Sequence, residues 1–245
     1  MMFAQIKIKL LLPEGADFSV NKSSLMHGVL SGLIPAGYAE KMHEQSLHPY
    51  TQYIRQEKDG FYWVISTLDD ECEKYILEPV NNAEEIYIEH NDLLIGLGER
   101  IVSGISADDL FLSYGMNDGS RKTTLVFLTP TAFKSSGQYV NMPSVPLIFQ
   151  SLIRKYDSFS GNTILSDEFV QEIAGRVLIS SYDLRSTVFP LEGITIPSFT
   201  GRITFYVKGG GALPGMIRML CEFARYSGVG IKTSMGMGAV DVKMR

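Results

Sequence analysis

Two histidines, His43 and His48, stand close together in one polar stretch of the chain. An imidazole gains and loses a proton near neutral pH, so such residues can act as general base or general acid. The sequence therefore indicates proton-transfer chemistry here. For a single histidine in such a stretch, the alternative interpretation is a solvated surface residue.

The remaining histidines and both cysteines have more ordinary interpretations. His27 lies at the edge of an apolar helical stripe, which is typical of a partly buried packing residue, and His90 falls in an acidic, exposed stretch. Cys72 and Cys221 are far apart and lack the spacing of metal ligands, so both are expected to be reduced thiols. We expect no metal site and no cofactor.

A glycine-rich segment near the C-terminus, from Gly228 to Gly238, is the second candidate site. Its glycines leave backbone N–H groups exposed, and such groups can surround an anion such as phosphate. The predicted anion-binding residues are Gly228, Gly230, Lys232, Thr233, Ser234, Gly236 and Gly238. The alternative is that the glycines only build turns and a bulge before a final strand. The segment does not fit the nucleotide-binding P-loop pattern, because a strand follows it rather than a helix.

Charge is unevenly distributed along the chain. The net charge is -5, but residues 201–245 carry seven basic and two acidic side chains. This asymmetry permits an anion-binding surface at the C-terminal end. Arg218 and Arg225 are predicted on the outer face of the helix before the glycine-rich segment, where they could contact phosphates. The alternative for both arginines is a solubilising role.

The elements that would position these residues occur in two similar series. Each half reads approximately as strand, helix, two strands, helix, strand, which is the order of a ferredoxin-like unit. The sequence predicts an α+β protein of two tandem ferredoxin-like (RRM-like) domains, residues 1–120 with the histidines and residues 121–245 with the glycine-rich segment. The predicted helices lie near residues 25–34, 69–79, 146–156 and 213–224, and the stretch holding His43 and His48 is predicted as a loop. No apolar run approaches the ~20 residues of a membrane span, so a soluble, cytoplasmic protein is expected.

Four segments together resemble a known family. The segment from Phe223 to Gly238 closely resembles the C-terminal glycine-rich signature of the repeat-associated RNA-binding superfamily of CRISPR systems. More specifically, it is similar to the sixth CRISPR-associated family, the repeat-processing endoribonucleases. The agreeing segments, in order, are Leu128–Phe133, Pro146–Phe159 and Ile196–Gly201. The resemblance implies tandem ferredoxin-like domains and metal-independent cleavage of CRISPR precursor RNA within its repeats.

The resemblance also assigns candidate catalytic residues. Family members often place a catalytic histidine after the first helix, and His43 falls where that residue should be. His48 lies near the position of a catalytic lysine in some relatives, so its presence removes a fixed cation and allows a two-histidine site. Other relatives use a tyrosine on the first helix. The matching position here is Ser31, and Tyr38 is a candidate substitute.

The implied partner is CRISPR repeat RNA, with effector-complex subunits and a second copy of the chain left open. The main alternative function is a non-catalytic subunit that holds guide RNA, for which the same glycine-rich segment would serve. A pure binder would not need an imidazole at His43. A third alternative is an unrelated ferredoxin-like enzyme or sensor that binds a small phosphate compound.

Overall fold

A computed structural model describes residues 1–116, 119–164, 166–191 and 193–244, leaving aside the side chains of residues 43, 91 and 244. Five antiparallel strands form the sheet of the N-terminal half. These are β1 (Met2–Leu11), β2 (Tyr50–Glu57), β3 (Gly60–Thr67), β4 (Glu85–Ile88) and β5 (Leu93–Ser106). Their order across the sheet is β2-β3-β1-β5-β4.

The N-terminal helices connect these strands and cover one face of the sheet. Two of them join β1 to β2, α1 (Ser23–Leu33) and α2 (Ala36–Glu44), preceded by a 3₁₀ turn (Val20–Lys22). A helical segment joins β3 to β4 and consists of α3 (Asp70–Cys72), a π turn (Glu73–Leu77) and α4 (Glu78–Asn82). A 3₁₀ turn (Glu89–Asn91) separates β4 from β5. The Asp69 carboxylate starts the α3 segment by accepting a hydrogen bond from the Cys72 N–H, 2.6 Å away.

The alternating sequence of β1 determines which of its faces is buried. Ile6 and Ile8 face the helices and are at most 1% exposed. Lys7 and Lys9 point to the opposite face, where each forms an ion pair of 2.7 Å with a carboxylate near the β2–β3 turn. Side chains alternate between the two faces of a strand, so this register fixes the core of the N-terminal half.

The C-terminal half repeats the arrangement with a four-stranded sheet in the order β11-β6-β10-β9. Its strands are β6 (Lys122–Thr131), β9 (Val177–Leu191), β10 (Ile194–Val207) and β11 (Val240–Met244), and β7 (Phe133–Ser135) pairs with β8 (Gln138–Val140) as a separate hairpin. The helices are α5 (Ala107–Leu110) with a following π turn (Phe111–Gly115), α6 (Val145–Phe159), α7 (Asp167–Arg176) and α8 (Leu213–Ser227). A 3₁₀ turn (Thr233–Met235) lies in the glycine-rich segment.

Both halves therefore contain the ferredoxin-like unit. The unit's four strands are β1, β2, β3 and β5 in the N-terminal half and β6, β9, β10 and β11 in the C-terminal half. In each sheet the first and third of these strands are central, and the second and fourth flank them. Strand β4 is added at the edge of the N-terminal sheet. The predicted α+β class with tandem ferredoxin-like domains is confirmed. The boundary between residues 120 and 121 stays a prediction.

The two halves share a buried junction. Phe3 of β1 packs against Phe223 of α8, with ring centroids 4.9 Å apart, and belongs to the same apolar cluster as the C-terminal core. Thr51 of β2 donates its hydroxyl to the carbonyl of Tyr226, 2.8 Å away. Apolar burial and hydrogen bonds thus both hold the second half against β1 and β2.

Two sequence-based expectations about elements are corrected. The stretch after Pro35 was expected to be a loop, but it is helical through Glu44, because Tyr38 and Met42 are spaced one turn apart and pack into the core. Alternating apolar residues predict only two short strands here, near residues 177–181 and 202–208, whereas the structure has the long β9–β10 hairpin. No helix among the described residues has the length and apolar character needed to span a membrane.

Candidate functional site

Three ring side chains converge beside the N-terminal sheet, and we call them the imidazole cluster: His27, His48 and Tyr50. The Tyr50 hydroxyl oxygen lies 2.7 Å from Nδ1 of His27, and the two rings are nearly parallel, with planes 8° apart. The His48 ring stands edge-on to both, its centroid 6.4 Å from that of His27 and 5.7 Å from that of Tyr50. Two imidazoles and a phenol within this distance can exchange and relay protons.

Each member of the cluster is supplied by a different element. His27 is half-buried on α1, directly after Met26, which faces the core. His48 lies in the turn after α2, and Tyr50 is the first residue of β2. The site is thus assembled by packing α1 and the turn against the start of β2, and no local sequence motif encodes it.

The glycine-rich segment completes the surroundings of Tyr50. Burial raises the pKa of the Tyr50 hydroxyl above its usual range, and a hydrogen bond with the Ser234 side chain acts in the opposite direction. The effect of burial is the larger of the two, so the pKa stays raised. Tyr50 then keeps its own proton at neutral pH and can donate it in a hydrogen bond to His27.

His43 lies in the last turn of α2, one residue before the helix ends. Its side chain lies outside the described part of the structure, and its predicted catalytic role stays a prediction. The expectation that it occupies a loop is corrected, because residue 43 is helical.

Tyr38, a predicted catalytic residue, is buried in the core of the N-terminal half. Its side chain is 6% exposed, belongs to the N-terminal core and packs against Tyr75 with ring centroids 4.8 Å apart. Burial raises the pKa of its hydroxyl, with the neighbouring Cys72 thiol as a further cause. The catalytic role of Tyr38 stays a prediction, and Tyr50 lies beside an imidazole.

The glycine-rich segment folds into a compact loop that bonds mainly to the protein itself. The Ile231 N–H donates to the Ala132 carbonyl and the Gly238 N–H to the Pro130 carbonyl, near the end of β6. Both distances are 3.0 Å. The Gly230 N–H donates to the Ser151 hydroxyl, 2.9 Å away. These three N–H groups already have protein acceptors, so they are not available to a phosphate. The predicted contacts of the segment with RNA stay a prediction.

Close packing explains why glycines are needed at these positions. A Cβ atom at Gly230 would lie 2.2 Å from the Ala132 carbonyl oxygen, and one at Gly236 would lie 2.3 Å from Cβ of Ser23. Both glycines also have positive φ angles, of 82° and 107°. The interpretation of turns before the last strand accounts for these glycines, and the loop is a tight connection between the two halves.

Within this loop, the predicted phosphate-contacting side chains differ in accessibility. Lys232 is exposed and has a left-handed backbone with a φ angle of 56°. Thr233 and Ser234 are 8% and 4% exposed and face the interior. Lys232 is therefore the member of this predicted set whose charged group can reach a bound anion.

The two arginines of α8 differ in exposure, and their predicted contacts with RNA stay predictions. Arg218 is 6% exposed and donates from Nη2 to the Tyr114 carbonyl, 3.3 Å away, so its placement on an outer face is corrected. Arg225 is partly exposed, but its guanidinium forms an ion pair with Glu222 at a distance of 2.8 Å and a second ion pair with Asp241. These carboxylates offset its charge and reduce its attraction for phosphate.

A cleft between the two halves leads away from the loop. One cavity of about 330 Å³ is bounded by the start of α1, β2, the end of β6 and Phe189. A second, of about 210 Å³, lies further along the junction and is lined by Arg225. Tyr53, Arg55 and Leu128 line both cavities, so the two are adjacent. An aromatic ring and a guanidinium along one groove suit a single-stranded nucleic acid.

Within the described residues, no group of three or more His, Cys, Asp and Glu side chains is arranged to hold a metal ion. The chemistry that this arrangement can perform with its own residues is proton transfer by imidazoles, assisted by a tyrosine. His27 and Tyr50 were missed as site residues, because they are 23 residues apart in sequence and meet only when α1 packs on β2.

The fold and the site define a protein of two ferredoxin-like domains with a histidine cluster near their junction. The family model of the CRISPR-associated endoribonuclease Cas6 matches residues 125–240. A Cas6 endoribonuclease of Streptococcus thermophilus is 32% identical over 221 residues, covering 89% of this chain and 90% of that protein. One from Mycobacterium tuberculosis (strain CDC 1551 / Oshkosh) is 34% identical, covering 89% of this chain and 70% of that protein. The chain belongs to the Cas6 family of CRISPR-associated endoribonucleases.

Solved Cas6 structures have the same fold. A Cas6 product complex superimposes with a TM-score of 0.82 at 21% identity, covering all of both chains. Thermus thermophilus Cas6 gives a TM-score of 0.79 at 22% identity, covering 99% of this chain and 98% of that one. These likenesses confirm the tandem ferredoxin-like architecture.

Proposed function

We propose that this protein cleaves CRISPR precursor RNA within its repeats and that the imidazole cluster lies at the site of cleavage. The observation that carries the proposal is the hydrogen bond of 2.7 Å between Tyr50 and His27, with the His48 ring beside both. Membership of the Cas6 endoribonuclease family supports the choice of RNA cleavage over RNA binding alone.

The proposed reaction needs no metal. A histidine removes the proton of a ribose 2′-hydroxyl, and the resulting oxygen attacks the adjacent phosphorus. The bond from phosphorus to the 5′ oxygen breaks, and a second histidine gives that oxygen a proton. The products are a 2′,3′-cyclic phosphate and a 5′-hydroxyl, and no water is consumed in this step.

Roles for the histidines follow from the hydrogen bond between His27 and Tyr50. The Tyr50 hydroxyl occupies Nδ1 of His27, so Nε2 is the nitrogen left to face the RNA. As an imidazolium, His27 donates its Nδ1–H to the Tyr50 oxygen and can give its Nε2 proton to the leaving oxygen, so it suits the role of general acid. His43 and His48 are the proposed partners in proton transfer, with His43 as the general base.

RNA would lie in the cleft between the two halves, with phosphates near Lys232 and bases against the aromatic wall at Tyr53. The exposure of Lys232 and the position of Tyr53 along both cavities support this path. We place the reaction in the cytoplasm, and effector-complex subunits and a second copy of the chain remain proposed partners.

Cleavage of the host's repeat RNA in excess EDTA tests the proposal. The wild type should cut at one position and leave a cyclic phosphate, identified by its loss on acid treatment. His43→Ala and His27→Ala should bind RNA normally and cut at least about a hundredfold more slowly. His90→Ala is the matched control, because His90 lies in the turn between β4 and β5. Binding without cutting by the wild type would instead support an RNA-holding subunit.

A further inference from the structure

A buried lysine outside the imidazole cluster contacts the glycine-rich loop. Lys155 lies on α6 and is 4% exposed. Its ammonium nitrogen is 2.7 Å from the Ser227 carbonyl oxygen, 3.2 Å from that of Gly228 and 3.3 Å from the Thr233 hydroxyl oxygen. A buried amine is costly unless its hydrogens are bonded, and here three acceptors surround it.

The three acceptors belong to both ends of one turn. Ser227 ends α8 and Gly228 follows it, whereas Thr233 lies five residues further along the loop. Lys155 therefore ties the start of the loop to its far side, which fixes the loop's path.

The far side of the loop is the part that meets the imidazole cluster. Ser234 directly follows Thr233, and its carbonyl accepts a hydrogen bond of 3.1 Å from the side-chain amide of Gln52 on β2. The same amide donates to the Ser23 carbonyl at the start of α1, 2.7 Å away. Helix α1 carries His27, whose Nδ1 lies 2.7 Å from the Tyr50 hydroxyl oxygen. A continuous series of contacts thus runs from Lys155 through the loop to the histidine.

We propose that Lys155 is a positioning residue, which holds the glycine-rich loop so that its contacts with β2 and α1 keep His27 and Tyr50 placed for cleavage. The proposal rests on the proposed function, because it deepens the role of the same site. It assigns Lys155 no contact with RNA. The residue acts only through the loop that it anchors.

Three variants test this role: Lys155→Met removes the donor, Lys155→Gln retains two N–H donors, and Arg154→Met is the control. Arg154 is the exposed neighbour of Lys155 on α6, so its change removes one positive charge of the helix and leaves the loop intact. Thermal unfolding identifies folded variants. Hydrogen exchange of the amides in residues 228–238 measures loop order without RNA, and single-turnover cleavage at saturating RNA measures the rate.

In Lys155→Met the loop amides should exchange faster than in the wild type. The cleavage rate should fall about ten- to a hundredfold, because misplacing catalytic groups by about 1 Å slows a reaction to that extent. Lys155→Gln should recover part of both properties, and the RNA dissociation constant should change less than the rate. A loop as protected as the wild type in Lys155→Met would overturn the proposal, as would a loosened loop with an unchanged rate. Absence of cleavage by the wild type would overturn the proposed function instead, and loop protection alone would then decide whether Lys155 anchors the loop.

Discussion

The side-chain amide of Gln52 on β2 donates from Nε2 to the carbonyl of Ser234 in the glycine-rich loop, 3.1 Å away. The same amide nitrogen donates to the Ser23 carbonyl at the start of α1, and its oxygen accepts from Nε1 of Trp63. Gln52 is 1% exposed, so these bonds form in the interior. One buried side chain therefore joins the N-terminal sheet, the helix that carries His27 and the C-terminal loop.

Gln52→Leu should lower the free energy of unfolding by about 2 kcal/mol or more, because it leaves the Trp63 N–H and two carbonyls buried without their partner. Urea unfolding of the whole chain measures this change. The matched control is Gln56→Leu on the same strand, where the side chain is exposed and the expected change is within about 0.5 kcal/mol. Equal effects of the two substitutions would contradict a specific role for the Gln52 bonds.

How far the sequence could predict this fold depended on how local the signals were. Alternation in β1 and the apolar stripes of α1, α6 and α8 were sufficient for the ferredoxin-like units. α7 was missed although Ser166 caps it, accepting a hydrogen bond from the Phe169 N–H. The β9–β10 hairpin is longer than the short strands predicted near residues 177–181 and 202–208, and it contains Pro197. Pro197 pairs with Val188 of β9, whereas β10 pairs with β6 from Phe199 onward. One side of β10 is therefore unpaired at Pro197, and a proline is tolerated there.

The candidate site was less predictable than the fold, because its contacts are non-local. His27 was interpreted as a packing residue from its place beside an apolar stripe, and its contact with Tyr50 depends on how α1 sits on β2. The glycines of the loop were expected to expose N–H groups, yet the same lack of side chains allows the backbones to approach and bond to each other. The burial of Arg218 likewise depends on the helical turn that ends at Gly115, packed against α8.

Tyr50→Phe tests whether the hydroxyl orients His27. The substitution keeps the ring stacking and removes the hydrogen bond to Nδ1, so both imidazole tautomers become accessible. We expect the single-turnover rate to fall about tenfold or more with little change in RNA affinity. Tyr62→Phe is the control, because its hydroxyl donates to Asp59 on another part of the surface, 2.7 Å away. A wild-type rate in Tyr50→Phe would exclude the assigned role of this hydrogen bond.

Lys232→Ala tests whether the exposed cation of the loop contacts an RNA phosphate. Each phosphate contact with a single strand contributes about 0.7 to the slope of log affinity against log salt concentration. We therefore expect affinity to fall and the slope to become shallower by about that amount. Lys58→Ala provides the comparison, since Lys58 is exposed in the turn between β2 and β3. An unchanged slope in Lys232→Ala would place the RNA backbone elsewhere.

Lys155 should also make stability depend on pH. Burial lowers the pKa of its amine from 10.5 to about 7 in the folded protein. Between these two values the unfolded chain holds a proton on this amine that the folded chain lacks, so the free energy of unfolding should rise with pH in that range. Below pH 7 the amine is protonated in both states, and its contribution should not change with pH.

Urea unfolding of the wild type and Lys155→Met at several pH values isolates this effect, because the other titrating groups are common to both proteins. The wild type should gain stability relative to the variant as the pH rises from 7 toward 10, because the neutral amine avoids the cost of a buried charge and still donates hydrogen bonds to the loop. Arg154→Met should instead follow the wild type across the range. A constant difference between wild type and Lys155→Met would mean that the amine keeps its proton throughout, and that the three oxygen acceptors outweigh the effect of burial.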